Sequence, residues 1–274
     1  MLALAACCST ACVLFTDLSG YAGPATTASD AASPDARLDP DAGKADAEAG
    51  DAAPDDPYSR AILQDAPLAY FKLEEASAGA CKDEMGGVSS ITCVYPGSGA
   101  TPRTDGIDAT SRGVHLDARS AVISLFATSK LSGKQPFTIE FWMQLDGPPS
   151  EAQVFSNEEG VGGTRTGQLA FFDVDGKLRT ETWTSGALLF YTLSASPAPS
   201  GKFAHIAYGY SDVESRDFLY VDANRAEGMR LNAGDHVAPS TAFTLGGWVG
   251  KLDELAIYGT ALSPTRIAAH YAAR

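Results

Sequence analysis

From about Tyr58 onward, short runs of alternating apolar and polar residues recur along the chain, each bounded by Gly, Pro, Asp or Ser. A period of two is the pattern of a β-strand with one buried face. "PFTIEFWMQL" is the clearest run. Phe137, Ile139, Phe141, Met143 and Leu145 share one side and Thr138, Glu140, Trp142 and Gln144 the other, which predicts one core face and one mostly polar face. "GQLAFFDVDGKLRTETW" predicts a hairpin turning at Asp175-Gly176. "FAHIAYGYS", "DFLYVDA", "ALLFYTL" and "TAFTLGGW" predict further strands, and in "KLDELAIYG" Leu252 and Ala256 alternate with Asp253, Leu255 and Ile257 as in a final strand. The period then changes. "SPTRIAAHYAA" places Ser263 as an N-cap, Pro264 at the first helical position, and Ile267 and Tyr271 on one helical face. Two turns of helix do not persist alone in water, so this one is predicted to pack on the strands and close the end of the domain. No repeat of about 20–50 residues is present. The pattern predicts an all-β fold over 58–274, a two-sheet antiparallel sandwich with a short C-terminal helix.

Residues 25–57 read differently. They contain almost no large apolar residue, many Asp and Ala, and recurrent Pro. Such a segment buries too little surface to offset the entropy of ordering, so it is expected to be a disordered, extended linker. Ten acidic and two basic side chains lie in residues 1–57, so the tail carries more than half of the net charge of −14. That balance disfavours nucleic acid as a partner, because phosphate recognition needs basic patches.

Residues 1–24 begin "MLALAACCSTACVLF", apolar and rich in small residues but shorter than the ~20 apolar residues of a membrane-spanning helix. The stretch reads as the tail of a secretory signal. "LAAC", ending at Cys7, resembles the lipobox of bacterial lipoproteins, whose cysteine is lipidated; "STAC", ending at Cys12, is a second and looser match. The expected location is the cell envelope, periplasm or surface, with a lipid anchor as the membrane contact. Cys81 and Cys93 stand alone in the body of the chain. In an exported protein such a pair suggests one disulfide; in a cytosolic one it would be two buried thiols.

Four stretches, in order, resemble the bacterial laminin-G-like, concanavalin A-like jelly-roll domains. They are "PLAYFKLEE" (67–75), "FTIEFWMQ", "FAHIAYGY" followed by "LYVDANR", and "GKLDELAIYGTALSPTRIAAHY", the last being the most specific. Phe71 and Phe203 stand where Trp is common in that family, and Asn224 lies near an expected turn Gly. The resemblance implies a jelly-roll sandwich over most of 58–274, and binding more often than catalysis. It also implies a structural Ca²⁺ held by a few carboxylates and carbonyls, with Asp83 and Asp253 as the matching positions; turn capping by Asp83 and backbone bonding by Asp253 are the alternatives.

Chemistry is sparse. Hydrolases of this architecture alternate Glu-x-Asp-x-x-Glu along one strand so that the acids share a face, and no such run occurs. Neither do nucleophile-elbow, His-Glu-x-x-His or phosphate-loop motifs. Asp173 and Asp175 in "DVDG" are better explained by a turn. For ligand recognition, aromatic rings on polar faces are the clue. Trp142 lies with Glu140 and Gln144, Trp183 lies with Arg179 and Glu181, and His205 and Tyr220 are further candidates; Trp142 as a packing residue is the competing reading. The loop Ser156–Gly167 is flexible by composition and silent about its target. The leading expectation is a non-catalytic module that binds a glycan or an extracellular protein. A spacer or assembly domain is the alternative, and a glycoside hydrolase a more distant one.

Overall fold

A computed structural model describes residues 56–274 apart from 88, 127–130, 132–134, 150, 227 and 235–240. The expected signal segment, the lipidation positions Cys7 and Cys12, and the linker up to residue 55 lie outside the described residues. In chain order the described elements are α1 (Pro57–Gln64), β1 (Ala69–Phe71), β2 (Thr92–Val94), β3 (Ala100–Asp105), β4 (Arg112–Leu116), β5 (Val122–Phe126), β6 (Phe137–Leu145), β7 (Gln153–Ser156), β8 (Gly167–Phe172) and β9 (Lys177–Thr184). They continue with β10 (Ala187–Pro197), β11 (Phe203–Ser211), β12 (Arg216–Val221), β13 (Asn224–Ala226), β14 (Gly228–Arg230), β15 (Phe243–Gly246), β16 (Gly250–Tyr258) and α2 (Pro264–Ala272). Neither helix is long and apolar enough to cross a membrane.

The strands form two antiparallel eight-stranded sheets. One runs β13-β12-β11-β6-β16-β4-β3, with β1 also pairing β16; the other runs β14-β10-β9-β8-β7-β15-β5-β2. These are called the first and second sheet below. The alternating sets meet between them. Ile139, Phe141, Ile206 and Leu219 from the first sheet pack with Phe155, Phe172, Leu178 and Leu245 from the second in one buried core. In the closing segment, β16 sits between β6 on one side and β4 and β1 on the other.

Several expectations need correction. The outer face of the first sheet is not polar and open. Thr138, Glu140 and Trp142 are as buried as the core side of β6, because α1 and α2 both lie across that face. Tyr58 and Ile62 of α1 pack with Tyr70, Trp142, Ala256 and Tyr258, and Ile267 of α2 packs with Ala207, Phe218 and Tyr220. The terminal helix is capped as expected, Arg266 N donating to Ser263 Oγ at 3.3 Å, but it roofs a sheet and does not close an end.

Helix α1 was not foreseen. It begins one residue inside the expected linker, since Asp56 accepts hydrogen bonds from Tyr58 N and Ser59 N at 3.0 Å each and Pro57 opens the helix. The alternation in β16 is also broken. A bulge lies between Asp253 and Ala256, with Glu254 at φ 54°. Leu252, Leu255 and Ile257 therefore point into the core, while Ala256 and Tyr258 face the helices. Finally, the β8–β9 hairpin turns through four residues, Asp173–Gly176, in place of two. Asp173 Oδ1 accepts from Asp175 N and Lys177 N at 2.9 Å each, so the "DVDG" acids serve the turn.

Candidate functional site

The six sequence-selected recognition residues divide between the two outer faces. Trp142, His205 and Tyr220 share the outer face of the first sheet, and all three are buried. Trp142 is stacked on Tyr271 of α2 (centroids 5.8 Å, planes 18° apart) and Arg274 lies 5.0 Å from its ring. No face of the indole is left for a ligand, so the packing reading of Trp142 holds. His205 is paired across strands with Trp142, its Nε2 3.3 Å from Glu140 Oε2. Tyr220 packs under Ile267; its remaining edge floors a shallow groove of about 200 Å³ with Phe218, Arg225, Glu214 and Leu262. These three are withdrawn as a ligand platform because a helix covers the face they share.

Under that cover lies a buried ionic cluster. Glu140 accepts from Tyr258 Oη at 2.5 Å, and His270 Nδ1 of α2 is 2.9 Å from Glu140 Oε1. His270 Nε2 lies 2.8 Å from Asp65 Oδ2 at the end of α1, and Arg266 Nε donates to the same oxygen at 2.7 Å. Burial alone would raise the Glu140 pKa, but His205 and His270 overcome it and hold the carboxyl at about 2. Burial likewise opposes charge on His270, and the Glu140 and Asp65 carboxylates outweigh it, so its pKa is raised. The cluster is a fastener between layers, closed to solvent at Glu140, His205 and His270 and partly open at Asp65 and Arg266.

Asp83 and Asp253, the positions matched to a calcium site, both accept hydrogen bonds from backbone amides. Asp83 uses Oδ1 for Tyr70 N and Met85 N and Oδ2 for Gly87 N, all at 3.0 Å. Asp253 is fully buried, accepts from Ile107 N at 2.9 Å through Oδ2, and is pushed by burial to a pKa of about 8. Among the described residues, no group of three or more His, Cys, Asp or Glu is arranged to hold a metal ion.

Arg179, Glu181 and Trp183 do come together. They occupy alternate positions of β9 on the outer face of the second sheet, opposite in side to the core residue Leu178. The Arg179 guanidinium is ion-paired to Glu181 and lies 5.3 Å from the Phe171 ring and 4.7 Å from the Tyr191 ring. Trp183 Nε1 donates to Glu181 Oε2 at 2.9 Å. Arg165 covers the Trp183 ring at 4.3 Å and is held bidentate by Glu158, with Nε and Nη2 at 2.8 and 2.5 Å; that hydrogen bonding raises the arginine pKa further. Tyr191 sits opposite Glu181, and Met229 of β14 opposite Tyr191. Met229 is exposed, and Phe171, Arg179, Trp183 and Tyr191 are half-buried.

Sequence reasoning missed Phe171, Tyr191, Arg165 and Glu158. The first two have a signal, since each falls on the outer parity of its strand once the register to β9 is known. Arg165 and Glu158 come from the Ser156–Gly167 loop, which is ordered against the β9–β10 turn. Gly186 N donates to Arg165 O at 2.8 Å and Ser185 N to Thr166 Oγ1 at 3.1 Å. Gly186 has φ 80°, and a Cβ there would stand 2.4 Å from Gly163 O, so only glycine lets the loop approach this closely.

Similarity to known proteins agrees with this architecture. Among curated proteins none matches the sequence. The binding domain of Paraclostridial Mosquitocidal Protein 1 superposes with a TM-score of 0.60 at 15% identity, over 76% of this chain and 52% of that one. Trypanosoma rangeli sialidase gives 0.55 at 13%, over 74% of this chain and 32% of that one. The chain thus spans about half of the first and a third of the second. Domain 4 of AbnA, an extracellular arabinanase of Geobacillus stearothermophilus in complex with arabinotriose, gives 0.51 at 14%, over 75% of this chain and 98% of that domain. At these identities the likeness is one of fold. The sequence itself matches the Laminin_G_3 profile over residues 117–268, more than half of its length, and the chain belongs to that family of the concanavalin A-like lectin/glucanase superfamily.

Proposed function

We propose that the chain is a non-catalytic binding module of an exported protein, and that the open outer face of the second sheet recognises a glycan. One observation carries this reading. Two guanidinium groups lie over three aromatic rings, each held by a carboxylate, on a sheet face that neither described α-helix covers. Rings and flat planes offer apolar contact to sugar C–H faces, while the fixed polar edges suit hydroxyls. The arabinanase domain, similar over nearly its whole length, is crystallised with a trisaccharide, which supports the ligand class. The carboxylates Glu158 and Glu181 are both engaged by arginine, an arrangement suited to positioning and not to proton transfer.

Export is supported by the Cys81–Cys93 disulfide (Cα–Cα 5.2 Å), since such bridges persist in oxidising compartments. Lipidation at Cys7 or Cys12 would then attach the module to the envelope. The test is a glycan array probed with wild type and Trp183→Ala. Loss of roughly tenfold or more in affinity is expected, as for an aromatic anchor. Binding untouched by the substitution moves the site elsewhere, no binding at all favours a spacer role, and turnover of any polysaccharide ends the non-catalytic reading.

A further inference from the structure

Resting on the reading that this face binds a glycan, we infer that its ligand is a neutral, extended oligosaccharide and not an acidic one. Recognition of a carboxylate or sulfate needs a guanidinium or ammonium whose fork is open and whose charge is unopposed. Neither arginine on the platform offers this. Arg165 gives Nε and Nη2 to the two oxygens of Glu158, and Arg179 gives Nη2 to Glu181. The four charges cancel within the patch. Lys177, at the end of the same β9 row, sits at a hairpin that also carries Asp173 and Asp175. The whole chain is at −14, so the long-range field repels a polyanion.

A neutral polyol meets the opposite situation. The partly exposed Glu158 keeps lone pairs for hydroxyl donors, and the guanidinium edges not held by glutamate keep N–H groups for hydroxyl acceptors. The platform is also long. Trp183 and Arg179 are four residues apart on β9, roughly 13 Å at ~3.3 Å per residue, which exceeds one sugar ring. Phe171 and Tyr191 widen it on the neighbouring strands. The bound species is therefore a chain of sugars lying along β9.

The test is calorimetric titration of the full chain with neutral trisaccharides (arabino-, xylo-, cello- and mannotriose) and acidic ones (trigalacturonate, a sialylated lactose, a heparin trisaccharide). Each is measured at about 0.02 and 0.5 M NaCl, where screening of exposed charges differs most. Glu158→Gln/Glu181→Gln and Trp183→Ala are measured alongside, with circular dichroism to confirm folding. At least one neutral ligand is expected to bind with affinity nearly unchanged by salt and at least roughly tenfold above any acidic ligand. The double glutamine variant is expected to gain salt-sensitive binding of an acidic ligand. Equal or tighter binding of an acidic ligand by wild type, lost with Trp183→Ala, overturns this inference and leaves the face as the glycan site. So does a folded glutamine variant that gains nothing. Absence of binding by any sugar to the folded wild type removes the underlying reading as well.

Discussion

The outer faces of the two sheets start from similar material and end differently. Both carry aromatic rings interleaved with charged side chains, Glu140 and His205 on the first sheet and Arg179 and Glu181 on the second. On the first sheet, Trp142, Tyr70 and Tyr258 meet Tyr58 and Ile62 from α1 and Tyr271 from α2. The charges there bond between elements: Glu140 to His270, and His270 and Arg266 to Asp65. On the second sheet, Arg179 and Arg165 bond to Glu181 and Glu158 and lie over rings, and neither described α-helix arrives. The difference teaches that an aromatic sheet face becomes a third core layer when its charges point outward to partners on a cover. It stays a surface when its charges are satisfied within the face. Recognition follows the second case.

Removing the fastener is the strongest way to break the contrast. Glu140→Ala leaves His270 and His205 buried without their shared carboxylate, and truncating one partner of a buried pair typically costs about 3–5 kcal/mol. Denaturant melts should show a loss of that size, with α2 released from the sheet and Tyr271 newly protected by nothing in hydrogen exchange. Sugar binding on the second sheet should be unchanged at temperatures where the chain remains folded. If binding falls in step with stability, the two faces are coupled and the division drawn here is wrong.

The Cys81–Cys93 bridge joins the two layers at one edge. Cys93 lies in β2 of the second sheet, and Cys81 precedes the Asp83 loop, which pairs with Phe71 of the first. Closing a loop of 12 residues' separation contributes roughly 3 kcal/mol in the chain-entropy account. Cys81→Ser/Cys93→Ser should lose about that much, and a thiol assay on unfolded, unreduced wild type should find neither of these two cysteines free.

A graded effect is expected from pH, and it belongs to the covered face and the interior. The His270 pKa is raised above 6.5, so its contribution is complete below 6.5 and is lost as pH rises through the folded value. Glu140 is lowered from 4.5 to about 2, so its contribution is present above 4.5 and is lost as pH falls toward 2. Asp217 and Asp253 are raised by burial to about 7 and about 8. The folded state then holds their protons more tightly, and stability declines as pH climbs from 3.8 to those values. Glu140 adds stability only up to about pH 4.5, His270 is flat until 6.5, and the two aspartates lose stability from 3.8 upward, so the four groups together place the maximum near pH 4. Urea midpoints measured from about pH 3 to 9 should be highest near pH 4 and fall as pH climbs toward 8; a maximum above pH 8 would contradict these charge states.

How much of this could be read from the chain differs by element. β6, β11, β16 and α2 were legible because alternation and the Ser263-Pro264 cap are local signals, and the two-layer core followed from them. The burial of Trp142 was not, because alternation tells which residues share a face but not whether something covers it. The cover includes α1, whose stripe of Tyr58 and Ile62 is two residues wide and adjoins an acidic tail that masks it. The β16 bulge escaped for the reverse reason: Glu254 at φ 54° inserts one residue into a run whose composition reads as plain alternation. At the site, Arg179, Glu181 and Trp183 were found because one strand carries all three. Phe171, Tyr191 and Arg165 reach them only through register and loop docking, which are long-range facts.

The smallest expected effect probes the edge of the covered sheet. The β12–β13 turn places Asp222 and Ala223 at φ 50° and 60° between the paired residues Val221 and Asn224, the geometry of a tight turn with two left-handed residues. Asp222 is compensated, since its Oδ1 accepts from His205 N at 2.9 Å and its N–H donates to His205 O at 2.9 Å. Ala223 has no such return for a conformation that costs an L-residue about 1–2 kcal/mol. Glycine removes that cost but adds unfolded-state entropy of about 0.5–1 kcal/mol. Ala223→Gly should therefore stabilise the chain by only about 0.5 kcal/mol in urea melts. A loss of stability would mean that the Ala223 methyl packs on the edge of the first sheet, extending the covered layer to β13.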